Sequence, residues 1–265
     1  MVRVVFVITA IAVITFPLMP VQWLAIRLNL GARRRIPMIY HRMICAILGV
    51  RIRIVGQRMP EHPLLIVANH SSWLDIPIIS AAAPVVFVAK SEIARWPIFG
   101  WLAKLQRSVF VDRNRRHRTA DVNAEIARRL SEGDPVVLFG EGTSSDGNRV
   151  LPFRTALIGS ARDALAEAEH VRRVWLQPMS LAYTSLLGLP VGRQHRHAVA
   201  WYGGMSLWPH LVGVCRRGAL DVVVTWGEPV AFDEATDRKQ VARELETKVR
   251  EITVNALRGR TKEVA

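Results

Sequence analysis

From Val4 to Ile26 the chain runs 23 residues without a charge. No soluble domain of ordinary size hides such a segment easily, and its length suffices to span a hydrocarbon core. Pro17 and Pro20 interrupt its second half, so one straight helix is not assured. A cleaved signal peptide would need a small-residue cleavage site and a polar mature start. Instead come Arg27, Arg33-Arg34-Arg35 and a second apolar helical stretch, Ile36 to Leu48. A single spanning helix and a pair of helices dipping into one leaflet both fit, with the arginines on the cytoplasmic side.

Charge supports the same placement. The net charge is +14, yet nine of the 36 basic residues and none of the 22 acidic ones fall in residues 1–60. Positive charge concentrated beside the most apolar segment suits anionic lipid headgroups rather than a nucleic acid groove. The two cysteines, Cys45 and Cys215, form neither a disulfide framework nor a metal-ligand spacing.

Beyond about residue 50 short β-rich runs alternate with helical stretches. Strands are expected at Arg51–Val55, Leu64–Ala68, Val85–Ala89, Ser108–Val111, Val136–Phe139, Val174–Tyr183, Ala198–Tyr202 and Val222–Trp226. Helices are expected at Leu74–Ala82, Ile98–Leu105, Arg118–Ser131, Thr155–Ala168, Leu207–Arg216 and Arg238–Leu257. The fold class is therefore α/β, a mixed, mostly parallel sheet flanked by helices, with an N-terminal membrane-associated helical segment. Residues 1–48 form the anchor and residues 49–265 the α/β domain.

Chemistry concentrates in three segments. In Val67-Ala-Asn-His-Ser-Ser-Trp-Leu-Asp75, His70 follows an apolar strand and precedes a helix, where α/β proteins usually hold reacting groups. A neutral imidazole there can take a proton from a hydroxyl, and Asp75 can fix its tautomer. Ser72-Trp-Leu-Asp75 also reads as a capping box, which would leave Asp75 only a backbone N–H to satisfy. Arg113 ends the run Val109-Phe-Val-Asp-Arg113, at the edge of the expected strand, and its guanidinium can grip an anion in a fork. The loop Phe139-Gly-Glu-Gly-Thr-Ser-Ser-Asp-Gly-Asn-Arg149 lets backbone approach a ligand closely but matches no nucleotide-binding pattern. The elbow Gly-x-Ser-x-Gly of serine hydrolases is absent from the chain. His195 and His197 lack a third ligand in range and read as surface histidines, and Trp201, Trp208 and Trp226 as core or interfacial aromatics.

Taken in order, these segments resemble the bacterial glycerolipid acyltransferases that make phosphatidic acid from lysophosphatidic acid. Asn69, His70 and Asp75 match the first block of that family and Val109 to Arg113 the second. Phe139-Gly-Glu-Gly-Thr-Ser-Ser145 matches the third, and Val174-Trp-Leu-Gln-Pro-Met-Ser180 the fourth. Gly140 stands where the family usually has proline, a change that loosens the loop without removing a reacting group. Ser144 stands where it often has an arginine that helps hold the acceptor's phosphate, a charge for which Arg149 and Arg154 are the available substitutes. The tract Ser145 to Phe153, followed by Ala182-Tyr183-Thr184 and Gly188-Leu-Pro190, is similar to a branch that includes lyso-ornithine lipid acyltransferases.

The resemblance implies acyl transfer from a thioester of acyl carrier protein or coenzyme A to a lysolipid hydroxyl. 1-Acylglycerol-3-phosphate is the first expectation for the acceptor and lyso-ornithine lipid the alternative; a membrane-anchored thioesterase or lipid hydrolase is the rival from another class. It further implies His70 and Asp75 as catalytic, with Arg113, Glu141, Gly142, Thr143 and Arg149 binding the acceptor. Neither metal nor redox cofactor is implied. The implied location is the cytoplasmic side of a bacterial inner membrane, with membrane lipids as partners and no nucleic acid.

Overall fold

The computed structural model describes residues 1–111, 119–155, 159, 173–233 and 235–260. Its centre is β2 (Leu64–Ala68), every residue of which is buried. A continuous apolar run suits such a strand, because side chains alternate between two covered faces. Leu64, Ile66 and Ala68 enter one core, and Leu65 and Val67 enter another on the opposite face.

Around β2 the sheet runs in the order β1–β8–β6–β2–β5–β3–β4, built from β1 (Val50–Val55), β3 (Val86–Lys90), β4 (Val109–Val111), β5 (Val136–Phe139), β6 (Val174–Leu186) and β8 (Leu220–Trp226). Strands β6, β2, β5, β3 and β4 are mutually parallel. β8 runs antiparallel to β6, with β1 parallel to β8 outside it. The short strands β7 (Leu189–Pro190) and β9 (Val230–Phe232) both pair with β6. The sheet is thus mixed and mostly parallel, as the alternating pattern implies.

Helices cover both faces. On one side lie α1 (Val2–Arg27), α2 (Ala32–Leu48) and α3 (Asp75–Ala82), with α4 (Phe99–Leu105) and α6 (Leu207–Arg217) against them. On the other lie α5 (Thr119–Ser131) and α7 (Arg238–Leu257), whose Val241, Leu245 and Val249 join the second core. The expected helix Thr155–Ala168 lies, but for its first residue and Gly159, outside the described residues. The expected strand Ala198–Tyr202 is not a strand. A short 3₁₀ turn covers Arg193–Ala198 and irregular backbone follows. Val199 and Ala200 are buried there by packing rather than by pairing in the sheet.

The first helix belongs to the folded body. Val4 and Val7 of α1 and Ile44, Cys45 and Leu48 of α2 share one core with the sheet. The Arg3 guanidinium donates to the carbonyls of Cys215 and, at 3.1 Å, Leu48, so it caps the C-terminal ends of two helices. Near its other end Gln22 donates to the carbonyls of Arg33 (2.9 Å) and Leu105 (2.8 Å). Pro17 and Pro20 are accommodated inside one continuous helix. Arg34 of α2 pairs with buried Asp134 at 2.7 Å. α2 stops at Gly49, whose φ of +78° and 2.9 Å gap between an added Cβ and the Ala219 nitrogen demand glycine. The expected boundary at residue 48/49 falls at this turn, although the parts on either side share a core.

Candidate active site

Strand register gathers the three segments singled out in the sequence. Ala68 is paired with Phe139 on β5 and with Met179 on β6. The chain leaving β2 at Asn69 and that leaving β5 at Gly140 therefore emerge side by side at the C-terminal edge of parallel strands. They are then stitched together. Gly140 N–H donates to Ala68 O at 3.0 Å, and Ser145 N–H donates to His70 O at 2.8 Å. Asn69 exchanges two hydrogen bonds with the Leu181 backbone on β6, at 2.8 and 3.0 Å, in the manner of a further strand residue.

Within this frame His70 Nδ1 lies 2.8 Å from Asp75 Oδ2. The same oxygen accepts from the backbone N–H groups of Ser71 (2.8 Å) and Ser72 (3.0 Å). The capping and orienting roles are thus filled by one fully buried carboxylate. Its other oxygen accepts from the Tyr183 hydroxyl at 2.5 Å. Burial and then the adjacent carboxylate push the Tyr183 hydroxyl well above its ordinary pKa, so it remains a donor. With Nδ1 committed to a carboxylate, the imidazole carries its proton there and presents Nε2 as the free base. The ring stacks on Phe139, centroids 4.0 Å apart, which fixes its plane.

Nothing in the sequence marked Tyr183 beyond its place in a branch-like tract. It lies 108 residues from Asp75 and reaches it only because β6 runs beside β2. The strand alternation of β6, which turns Leu181 and Tyr183 to the same face as Met179, was the available signal.

Glu141 is almost fully buried, at 2% exposure, and its Oε1 accepts from the His70 backbone N–H at 3.0 Å. Burial lifts its carboxyl to about 8. It props the His70 loop from beneath and is not among the residues lining the cavity, where the sequence leads one to expect a binding contact. Gly142, Thr143 and Ser144 do line the cavity that His70 faces. The Arg154 side chain crosses this turn, 2.9 Å from where a Cβ on Gly142 would stand. Arg149 lines a second, smaller recess instead. Arg113 lies outside the described residues. His195 and His197 sit on the 3₁₀ turn, and no cluster of metal-ligating side chains occurs among the described residues.

The cavity before His70 has a volume of about 760 Å³ and walls that are mainly apolar, drawn from α1, α2, α3, α4 and the 201–211 segment. Ile8, Ile11, Thr15, Met19 and Gln22 line it from one face of α1. That stripe extends about 21 Å at 1.5 Å per residue, a length suited to a fatty acyl chain. An imidazole base, oriented by a buried carboxylate, thus stands over a long greasy slot.

The sequence profile of the acyltransferase family matches residues 51–182, the span holding the paired His70 and Asp75 and the Phe139–Ser145 loop. The lyso-ornithine lipid O-acyltransferase of Brucella abortus is 48% identical over 259 residues, covering 98% of this chain and 97% of its own. The chain belongs to the acyltransferase family. It is also similar to the lyso-ornithine lipid O-acyltransferase of Rhizobium meliloti, 46% identical and covering 96% of this chain and 87% of that protein. The 1-acyl-sn-glycerol-3-phosphate acyltransferase of Neisseria gonorrhoeae is 43% identical over 115 residues, 43% of this chain and 45% of its own. Among solved structures, the 1-acyl-sn-glycerophosphate acyltransferase of Thermotoga maritima shares the fold of this acyltransferase. Its TM-score is 0.61 at 22% identity, over 88% of this chain and 83% of that one.

Proposed function

We propose that this acyltransferase moves a fatty acyl group from a thioester of acyl carrier protein or coenzyme A to the free hydroxyl of lyso-ornithine lipid. The observation that carries acyl transfer is the His70–Asp75 pair opening on the apolar cavity. His70 Nε2 takes the hydroxyl proton as that oxygen attacks the thioester carbonyl. The tetrahedral oxyanion is steadied by the backbone N–H groups of Thr143 and Ser144, and the C–S bond then breaks. The departing thiolate recovers the proton from the imidazolium, which Asp75 has held in place.

For the acceptor, relatives aligned over nearly the whole chain carry the lyso-ornithine name, whereas the Neisseria protein aligns over less than half. The cavity wall also presents Ser144 where a phosphate-gripping arginine often stands. 1-Acylglycerol-3-phosphate is the second reading, favoured by that Neisseria match. Membranes containing the protein, given labelled acyl thioester with each acceptor in parallel, decide between them. Faster labelling of lysophosphatidic acid overturns the acceptor assignment. Free fatty acid released without any acceptor supports the hydrolase rival.

The geometry also favours attachment to one leaflet over a spanning helix. α1 is long and apolar enough to cross a bilayer. Yet Arg3 near one end and Gln22 near the other are both hydrogen-bonded to the α/β body. Crossing would pull one of these ties through the membrane. Val5, Phe6, Val13, Phe16 and Trp23 are exposed along α1, and Trp101 and Trp208 add aromatics from α4 and α6. Tryptophan at such a face suits the headgroup level. The helix then lies in the cytoplasmic leaflet of the inner membrane with the arginine cluster at its surface. Cysteines placed at residues 2 and 28 should be labelled from the same side of sealed vesicles. Labelling from opposite sides sinks this topology.

A further inference from the structure

A recess of about 230 Å³ lies behind the loop that carries His70. His70 lines the large cavity, whereas its neighbours Asn69 and Ser71 line the recess. The remaining wall comes from Leu181–Tyr183 of β6, the 145–150 loop, the 3₁₀ turn and the C-terminal half of α7, so the recess opens on the α7 face of the sheet. Four arginines, Arg149, Arg193, Arg196 and Arg250, line it, and no carboxylate is among the described lining residues. Glu246 pairs with Arg250 at 2.6 Å, and Asp146 lies near enough to Arg149 and Arg196 to feel their charge. Two carboxylates set against four guanidiniums leave a positive excess. Arg196 Nε is buried with no protein acceptor among the described residues. Its guanidinium is held below its ordinary pKa by burial and then by Arg193, as expected of positive groups crowded together.

This arrangement calls for an anion with several acceptor oxygens. The source follows from which face is wet. The exposed apolar residues of α1, α4 and α6 stand on the large cavity's side, where a lipid acceptor enters. On the α7 side Arg149, Arg193 and Arg250 are exposed to water. A water-borne donor, its acyl chain in the cavity and its thioester at His70, trails its polar arm over one loop toward the recess.

We propose that the recess binds the phosphate on the donor's pantetheine arm, the group common to coenzyme A thioesters and acyl carrier protein. The proposal rests on the acyl-transfer reading and specifies how the donor is held. The test compares three donors with one acyl chain: the coenzyme A thioester, the carrier-protein thioester, and a pantetheine thioester without phosphate. Arg193→Gln and Arg196→Gln should each cut the preference in kcat/KM for both phosphorylated donors over the pantetheine thioester by about tenfold, the scale of one lost charge-assisted contact. An unchanged preference, a parallel loss on all three donors, a loss with only one phosphorylated donor, or an effect confined to KM for the lysolipid acceptor overturns it. Wild-type enzyme in the same assay separates the two claims. If it transfers acyl groups from no thioester, the acyl-transfer reading itself fails.

Discussion

Replacing Glu141 by glutamine separates a prop from a reagent. An ordinary glutamate carboxyl titrates at 4.5, whereas burial lifts that of Glu141 to about 8. Between those values the folded protein holds a proton that the unfolded chain has released. Unfolding free energy therefore falls as pH rises through this window, and the penalty is complete above the folded value. At about 1.36 kcal/mol per pH unit the whole interval corresponds to roughly 5 kcal/mol. Glutamine has no proton to lose, yet its amide oxygen can keep the acceptor for the His70 N–H. Urea midpoints of wild type and Glu141→Gln in detergent should nearly coincide at pH 5 and separate by pH 8, with the variant more stable by several kcal/mol. Turnover at pH 7 should change by less than about threefold, since one neutral acceptor replaces another. Glu141→Ala, by contrast, leaves the N–H unpaired at a cost of about 1–3 kcal/mol and frees the loop to shift. Parallel stability curves for wild type and Glu141→Gln, or a hundredfold loss of turnover in the glutamine variant, would refute this account.

Other substitutions probe the neighbouring groups. His70→Ala should lower turnover by at least about 10²-fold in a preparation whose circular dichroism is unchanged, as expected for loss of a general base; near-wild-type thioester consumption would exclude His70 as that base. Tyr183→Phe removes the donor to Asp75 Oδ1 and should cost about 1–3 kcal/mol in a urea titration, with kcat reduced and KM for both substrates little changed. Gly140→Pro, which installs the residue usual in the family, deletes the N–H bonded to Ala68 O and sets ring atoms against Phe153, 2.7 Å from an added Cβ. It should destabilise by about 1–3 kcal/mol, read as a lower Tm, and Phe153→Leu in the same chain should restore part of the loss.

Local pattern carried much of the architecture. β2 and α7 were legible because a short apolar run and a stripe at Val241, Leu245 and Val249 each have one sensible burial. The His70–Asp75 pairing was legible because five residues across a strand-to-helix turn bring two side chains together. Ala198–Tyr202 misled for a physical reason. Val199 and Ala200 are buried under the loop whose Ser71 carbonyl accepts from the Trp201 N–H at 2.7 Å, and burial alone does not distinguish that from sheet. Tyr183 and the four-arginine recess depend on strand order, which no local window contains. Gly140 was read as loosening its loop. Its N–H is instead one of the bonds fastening that loop to β2, and the Phe153 ring occupies the space a side chain would need.

The ties from Arg3 and Gln22 make the greasy N-terminal helix one wall of the cavity before His70, in addition to the anchoring proposed for it. Trimming the first thirty residues to obtain a water-soluble catalyst should therefore fail. Such a truncation unroofs the apolar slot, strips partners from the ends of three other helices, and leaves the sheet's inner face wet. On the proposed topology, folding of the catalytic half and arrival at the bilayer would be a single event for this chain.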